Sequence, residues 1–96
     1  MIGMDYRTYG RFMNYVEIRD LFDCWLWTGA QANSYGVLNV KGNKYVHRLM
    51  WEHHNGEIIA PGNEIDHTCE TRLCVNPQHL ESVTKLENLR RSREPR

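Results

Sequence analysis

The sequence lacks long apolar runs, a recognisable leader and an excess of either charge. No apolar run approaches the roughly 18 residues of a membrane-spanning helix, so we expect no membrane partner. The N-terminal stretch MIGMDYRTYG has neither the basic start nor the apolar block of a signal peptide. Lys and Arg number 12, as do Asp and Glu, so net charge alone does not indicate a nucleic-acid partner. These absences predict a cytoplasmic protein.

Cysteine and proline are also scarce, at three residues each. An odd number of Cys residues argues against a pure disulfide framework, and in a reducing cytoplasm clustered Cys residues more often bind metal. The chain has the length of a single domain, so we expect one domain over residues 1–96. A domain this small buries a thin core, which a bound metal ion often reinforces.

The N-terminal half predicts a helix followed by a β-hairpin and a second helix, over residues 11–55. Apolar residues recur with helical spacing over residues 11–22. Alternating, Trp-rich residues predict a strand over 24–28, and YGVLNV predicts a second strand before the tight turn KGNK. The stretch HRLMWEHHNG predicts a helix that ends at Gly56, a residue suited to a C-cap.

The C-terminal third predicts a β-hairpin followed by a helix, over residues 64–93. We expect a strand over 65–68, a long polar loop and a returning strand over 79–83. Thr84 then suits an N-cap, and Glu87 three residues later completes a capping box for the helix that follows.

Soft metal ligands cluster in the loop between these strands. The spacing is C-x4-C-x4-H, formed by Cys69, Cys74 and His79. Zinc in a closed structural site takes four such ligands in a tetrahedron, and Cys24 is the remaining Cys of the chain. Two alternatives stay open: Cys24 is a buried apolar residue and His53 or His54 completes the site, or the thiols are free.

The predicted zinc site leaves several polar residues of the same segment without a role. Asp66 and His67 end a strand that faces the helix carrying Asn88, and Asn76 lies in the loop. Carboxylate and amide oxygens suit a hard ion such as Mg²⁺, and imidazole suits general-base activation of water. A hard ion and a base are the groups that phosphodiester hydrolysis requires.

The segment 67–88, HTCETRLCVNPQHLESVTKLEN, resembles the ββα-metal core of HNH nucleases. In detail it is similar to the His-Cys box branch of the homing endonucleases and to small phage and intron HNH enzymes. The upstream stretches CWLWTGA, YGVL and HRLMWE resemble the N-terminal part of the phage enzymes. The resemblance implies an α+β fold with a zinc-stabilised ββα-metal (His-Me finger) core, preceded by an N-terminal antiparallel β-hairpin and helices.

The same resemblance implies a metal-dependent endonuclease that nicks or cuts duplex DNA, as a monomer or a homodimer. His67 matches the general base. Asp66 and Asn88 match ligands of the catalytic ion, Mg²⁺ or a similar ion. Asn76 matches a residue that braces the loop and orients the base. The remaining matches are the structural zinc ligands: Cys24, Cys69, Cys74 and His79.

Basic residues provide candidate contacts to DNA phosphates. The resemblance includes the pair His47-Arg48, in which we expect His47 to be packed. For Arg48 two interpretations stay open: a ligand of the scissile phosphate, or an exposed residue in a salt bridge. Arg90, Arg91 and Arg93 follow Asn88 on the last helix and are further candidates for phosphate contacts.

An alternative function is a non-catalytic zinc module that binds DNA or protein. Such a module needs only the four zinc ligands. It gives no reason for the spacing of Asp66, His67 and Asn88, and we therefore favour the enzyme.

Overall fold

The computed structural model describes residues 3–93, apart from the side chain of Arg93, and has an α+β arrangement. Its helices are α1 (Tyr6–Met13), α2 (Val46–Asn55) and α3 (Lys85–Arg93). Its strands are β1 (Val16–Ile18), β2 (Trp25–Trp27), β3 (Gln31–Ala32), β4 (Tyr35–Asn39), β5 (Asn43–Tyr45), β6 (Asn63–His67) and β7 (Leu80–Thr84). No helix within the described range is long and apolar enough to cross a membrane.

The N-terminal helix differs from the one that the apolar spacing predicts. The predicted helix over residues 11–22 is wrong beyond Met13, where α1 ends, and Val16–Ile18 form strand β1 instead. This strand pairs antiparallel with β2. Phe22 fits the helical spacing but is 82% exposed. A few apolar residues can fit both helical and strand spacing, so their spacing alone does not decide the structure. Here the pairing of β1 with β2 decides it in favour of a strand.

Strand β2 joins the N-terminal part of the chain to the loop before β7. The Trp27 N–H donates to the Leu73 carbonyl at 2.8 Å, and the Val75 N–H donates to the Trp25 carbonyl at 2.7 Å. Leu26 and Cys74 form the bridge between these hydrogen bonds. The start of β2 is therefore held against the segment that carries the predicted zinc ligands.

The core lies between the helices α1 and α2 and the strands that cover them. Its buried side chains are Met4, Phe12, Trp27, Leu38, Val46, Met50, Ile59, Ile65, Val75 and Leu80. At Gly36 a Cβ atom would lie 2.4 Å from the Trp27 ring, so the residue without a side chain lets β4 pass this close. The core therefore draws on both halves of the chain.

Helix α2 agrees closely with its predicted extent. It ends at Asn55, and Gly56 follows with φ of 66° in the left-handed region and donates its N–H to the Glu52 carbonyl. Glycine takes this conformation without steric cost. The predicted C-cap is confirmed.

Strands β6 and β7 pair antiparallel, and α3 follows β7 without a connecting loop. In this ladder Asp66 lies opposite Glu81, and His67 lies opposite Leu80. The Thr84 hydroxyl accepts the Glu87 N–H at 3.1 Å, which confirms Thr84 as the N-cap. The end of β6 and the first turns of α3 consequently lie side by side.

Candidate functional site

Four metal-ligating side chains lie together beside β2. They are Cys24, Cys69, Cys74 and His79, and their ligand atoms all lie within 4.8 Å of one another. Cys24 joins the cluster because the β2 hydrogen bonds hold the start of that strand against Cys74. Cys24 thus joins three ligands that lie 45 or more positions further along the chain.

The His79 ring is oriented for ligation by a backbone carbonyl. Its Nε2 atom lies 3.1 Å from the Phe22 carbonyl, to which it donates. Its Nδ1 atom then carries the lone pair and lies 3.4 Å from the Cys74 sulfur and 3.8 Å from the Cys24 sulfur. Fixing one ring nitrogen as a donor leaves the other as a metal ligand, the usual arrangement at metal sites.

The cluster fits a structural metal ion such as zinc. Three thiols and one imidazole within 4.8 Å of one another are a ligand set that zinc prefers. Burial raises the pKa of the Cys74 thiol to about 12 and also raises the pKa of Cys69. Thiols packed this closely gain from a cation, because the cation stabilises the thiolate form. Within residues 3–93 the cluster contains Cys24 and His79, and neither His53 nor His54 belongs to it.

An open cleft of about 610 Å³ lies beside this cluster, between β6 and the face of α3. Its polar lining includes the three residues predicted for catalysis, Asp66, His67 and Asn88. Further lining residues, which the sequence patterns did not single out for this cleft, are Tyr35, Glu64, Glu70, Arg72, Lys85 and Ser92. The order β6, β7, α3 brings together the lining residues of β6, its following loop and α3, and Tyr35 joins them from β4.

His67 is buried at the base of the cleft and keeps 7% of its surface exposed. Burial lowers its pKa below the ordinary 6.5, although a hydrogen bond to the Cys74 backbone acts in the opposite direction. Its ring centroid lies 4.9 Å from that of His47 and 6.0 Å from that of Tyr35. The His67 imidazole is therefore neutral at pH 7. Cys74 belongs to the metal cluster through its thiol and contacts the His67 ring through its backbone.

Asp66 and Asn88 present oxygen atoms to the same cleft. Asp66 accepts a hydrogen bond from Arg91 at 3.2 Å, and 11% of its side chain is exposed. The Asn88 amide nitrogen donates to the Glu64 carboxylate at 3.2 Å. A carboxylate only accepts hydrogen bonds, so this contact fixes the amide orientation and leaves its oxygen for a donor or a cation. Glu64 lies two residues before Asp66, and strand alternation was the signal that places both on one face.

Residues 44–90 match the HNH endonuclease family. The chain contains an HNH domain. The match covers the cleft residues Asp66, His67 and Asn88 together with the metal ligands of the loop, but it leaves Cys24 outside. The metal cluster therefore ties the HNH domain to the segment that precedes it. HNH nucleases act on DNA.

Two phage proteins are similar to the chain. The uncharacterized gene 5.3 protein of Enterobacteria phage T3 is 44% identical over 43 residues, which are 45% of this chain and 42% of that protein. Protein 2.8 of Escherichia phage T7 is 39% identical over 70 residues, which are 68% of this chain and 45% of that protein. The chain thus spans less than half the length of these relatives. No solved structure matches the chain.

Arg91, one residue beyond the HNH match, is engaged by carboxylates. Its guanidinium lies 3.0 Å from Glu81, 3.1 Å from Glu87 and 3.2 Å from Asp66, and these groups raise its pKa. Arg90 pairs with Glu87 at 2.7 Å, and this hydrogen bond is the main reason why the pKa of Glu87 falls to about 2. Arg91 is thus an ion-pair partner of Asp66 in this structure, and its contact with a DNA phosphate stays a prediction.

Other predicted residues lie away from the cleft. Asn76 is buried, donates to the Leu21 and Asp23 carbonyls at 3.2 and 2.8 Å, and accepts the Gln78 N–H. It therefore braces the loop against the segment before β2. Arg48 is exposed on α2 and does not line the cleft within the described residues. The side chain of Arg93 lies outside the described part of the structure.

Proposed function

We propose that this protein is a metal-dependent endonuclease that hydrolyses phosphodiester bonds in duplex DNA. The observation that carries the proposal is the convergence of Asp66, His67 and Asn88 on one cleft inside the HNH match. A base and two oxygen ligands at one site are the groups that this hydrolysis needs. A zinc-binding module alone leaves these three residues without a purpose.

In the proposed reaction, His67 is the general base. Its neutral ring accepts a proton from the attacking water at the cleft, and the hydrogen bond to the Cys74 backbone keeps the ring in position. Asp66 and Asn88 hold a divalent ion such as Mg²⁺ through their side-chain oxygens. When bound, such an ion supplies charge stabilisation for the phosphate and the leaving oxygen. Glu64 accepts the hydrogen bond of the Asn88 amide nitrogen and so would leave the amide oxygen for the ion.

The metal cluster has a structural role in this proposal. Cys24, Cys69, Cys74 and His79 would hold a zinc ion, which would fix the loop between β6 and β7 within a ββα-metal core over residues 64–93. The loop carries the Cys74 backbone that contacts His67. Asn76 assists by holding the same loop to the Leu21 and Asp23 carbonyls.

Duplex DNA is the proposed substrate, bound across the mouth of the cleft. Arg48, Arg90 and Arg93 are candidates for contacts with flanking phosphates, which make affinity fall as salt rises. A single cleft cuts one strand, so a double-strand break requires a homodimer or two separate events. We expect this activity in the cytoplasm of a bacterial host, a proposal that the similarity to two phage proteins supports.

Cleavage of supercoiled plasmid DNA tests this proposal. Zinc-loaded protein should convert the plasmid to open circles with Mg²⁺ and leave it intact when Mg²⁺ is omitted. His67→Ala should lose at least about 100-fold of the rate, in line with the loss of a general base. His54→Ala is the matched control, because His54 is an exposed His of α2 outside the cleft. The proposal fails if the wild-type protein nicks no DNA offered, or if His67→Ala equals wild type.

A further inference from the structure

Arg72 occupies a distinctive position on the cleft wall. It lies in the loop between Cys69 and Cys74, and its guanidinium stands 5.4 Å from the centroid of the Tyr35 ring. Both side chains line the cleft that contains His67. A guanidinium over an aromatic face is held by a cation–π interaction, which orients it without neutralising its charge.

The cleft contains several carboxylates, so a phosphate can bind there only with the help of a cation such as Arg72. The cleft walls carry the carboxylates Glu64, Asp66 and Glu70, and the cations Arg72 and Lys85. A DNA phosphate that enters meets repulsion from the carboxylates, so binding needs positive charge on the same walls. Arg91 does not supply it, because carboxylates already surround its guanidinium.

Arg72 differs from Arg91 in having its charge available. Within residues 3–93, Arg72 makes no ion pair, and its guanidinium lies over the Tyr35 ring. Its charge also reaches the proposed base, since electrostatic repulsion from Arg72 is one of the effects that lower the pKa of His67. The ring of Tyr35 lies near both groups, 6.0 Å from the His67 ring between centroids. The guanidinium therefore shares both the cleft and the Tyr35 ring with His67.

We propose that Arg72 is a catalytic residue that binds the phosphate group under attack, and that Tyr35 positions its guanidinium. This inference rests on the proposed endonuclease function. The planar guanidinium can donate two parallel hydrogen bonds to two phosphate oxygens, which suits both binding and stabilisation of charge in the transition state. Because Arg72 lies between two metal ligands, the metal cluster fixes the backbone from which it reaches the cleft.

The test compares single-turnover nicking by Arg72→Ala, Arg72→Lys, Lys85→Ala and Arg7→Ala at saturating protein. Loss of a charge-assisted contact predicts a rate about 10- to 100-fold lower for Arg72→Ala. Arg72→Lys should recover part of the rate, because it restores the charge without the planar fork. Arg7→Ala, on the exposed face of α1, should equal wild type. Zinc content and circular dichroism establish that each variant is folded.

Two results would overturn the role of Arg72 while leaving the endonuclease intact. One is an Arg72→Ala rate within twofold of wild type. The other is an equal loss in Lys85→Ala, which would show that the general charge of the cleft matters and the position of Arg72 does not.

A binding measurement decides the matter if the wild-type protein does not cleave. Duplex DNA affinity of the zinc-loaded proteins is then measured without Mg²⁺ and without chelator at several salt concentrations. Loss of one phosphate contact should reduce the slope of log affinity against log salt by about 0.9 in Arg72→Ala relative to Arg7→Ala. Equally steep slopes in the two variants would overturn phosphate binding by Arg72. A shallower slope in Arg72→Ala would support phosphate binding by Arg72 even though the endonuclease proposal has failed.

Discussion

At the scale of single residues, His47 is a buried histidine that the proposed chemistry does not use. It keeps 8% of its surface exposed, and within residues 3–93 its Nδ1 atom has no hydrogen-bond partner. Its ring packs against those of Tyr35, Tyr45 and His67. Burial, followed by the charges of His67 and Arg48, lowers its pKa to about 3. The expectation that His47 is packed agrees with this environment.

His47 predicts a loss of stability in acid. Its folded-state pKa of about 3 lies below the ordinary 6.5, so the unfolded chain binds the extra proton between these values. The contribution to stability is complete above pH 6.5 and falls by about 1.4 kcal/mol for each pH unit below it. Urea unfolding at pH 7, 6 and 5 should show a steeper loss for wild type than for His47→Phe.

Comparing the two proteins at each pH isolates His47, because acid acts on the metal ligands of both in the same way. Parallel stability curves for wild type and His47→Phe would show that His47 does not titrate as a buried neutral group.

Some contacts between residues of the site could not be predicted from sequence patterns. Strand alternation could have placed Glu64 on the same face as Asp66. It could not have predicted the hydrogen bond between Glu64 and Asn88, because Asn88 lies on another element. The contact between the Phe22 carbonyl and His79 spans 57 positions and involves a backbone atom, so no side-chain pattern indicates it. Contacts of this kind depend on how elements pack, which local spacing does not encode.

At the scale of elements, the predictions that held rest on local chemistry. Gly56 ends α2 in a left-handed conformation, and Thr84 begins α3 through its hydroxyl. Each depends on residues within four positions, so the sequence window contains the cause. The helix predicted over residues 11–22 failed beyond Met13 because β1 is stabilised by pairing with β2, outside that window.

The cap of α3 predicts a measurable contribution to stability. Thr84→Ala removes the acceptor for the Glu87 N–H and should lower the free energy of unfolding by about 1 kcal/mol. Thr84→Ser keeps a hydroxyl and should stay within about 0.5 kcal/mol of wild type. Urea unfolding at constant zinc concentration measures both. Equal loss in the two variants would mean that the methyl group of Thr84, and not its hydroxyl, is what matters.

At the scale of the whole molecule, the metal cluster connects the two halves of the chain. Cys24 lies before β2, and the other ligands lie between β6 and β7. Metal binding coupled to folding contributes on the order of 10 kcal/mol in small zinc domains. A chain of this size has a thin core, so the cluster should account for much of its stability.

Removing Cys24 should therefore weaken zinc binding and lower the melting temperature. Wild type with zinc should melt well above wild type in EDTA, whereas Cys24→Ala should gain little from zinc. In EDTA the two proteins should melt at similar temperatures, which provides the internal control. A Cys24→Ala protein that binds one zinc ion and melts like wild type would exclude Cys24 as a ligand.

The central claim is that the cleft of the HNH domain cuts DNA while the metal cluster maintains the fold. Nicking and zinc content measured together on Asn88→Ala test it most directly, with Asn55→Ala, at the end of α2, as the control. We predict that Asn88→Ala keeps one zinc ion per chain and loses at least about 100-fold of the Mg²⁺-dependent nicking rate. Full nicking activity in zinc-replete Asn88→Ala would contradict the account.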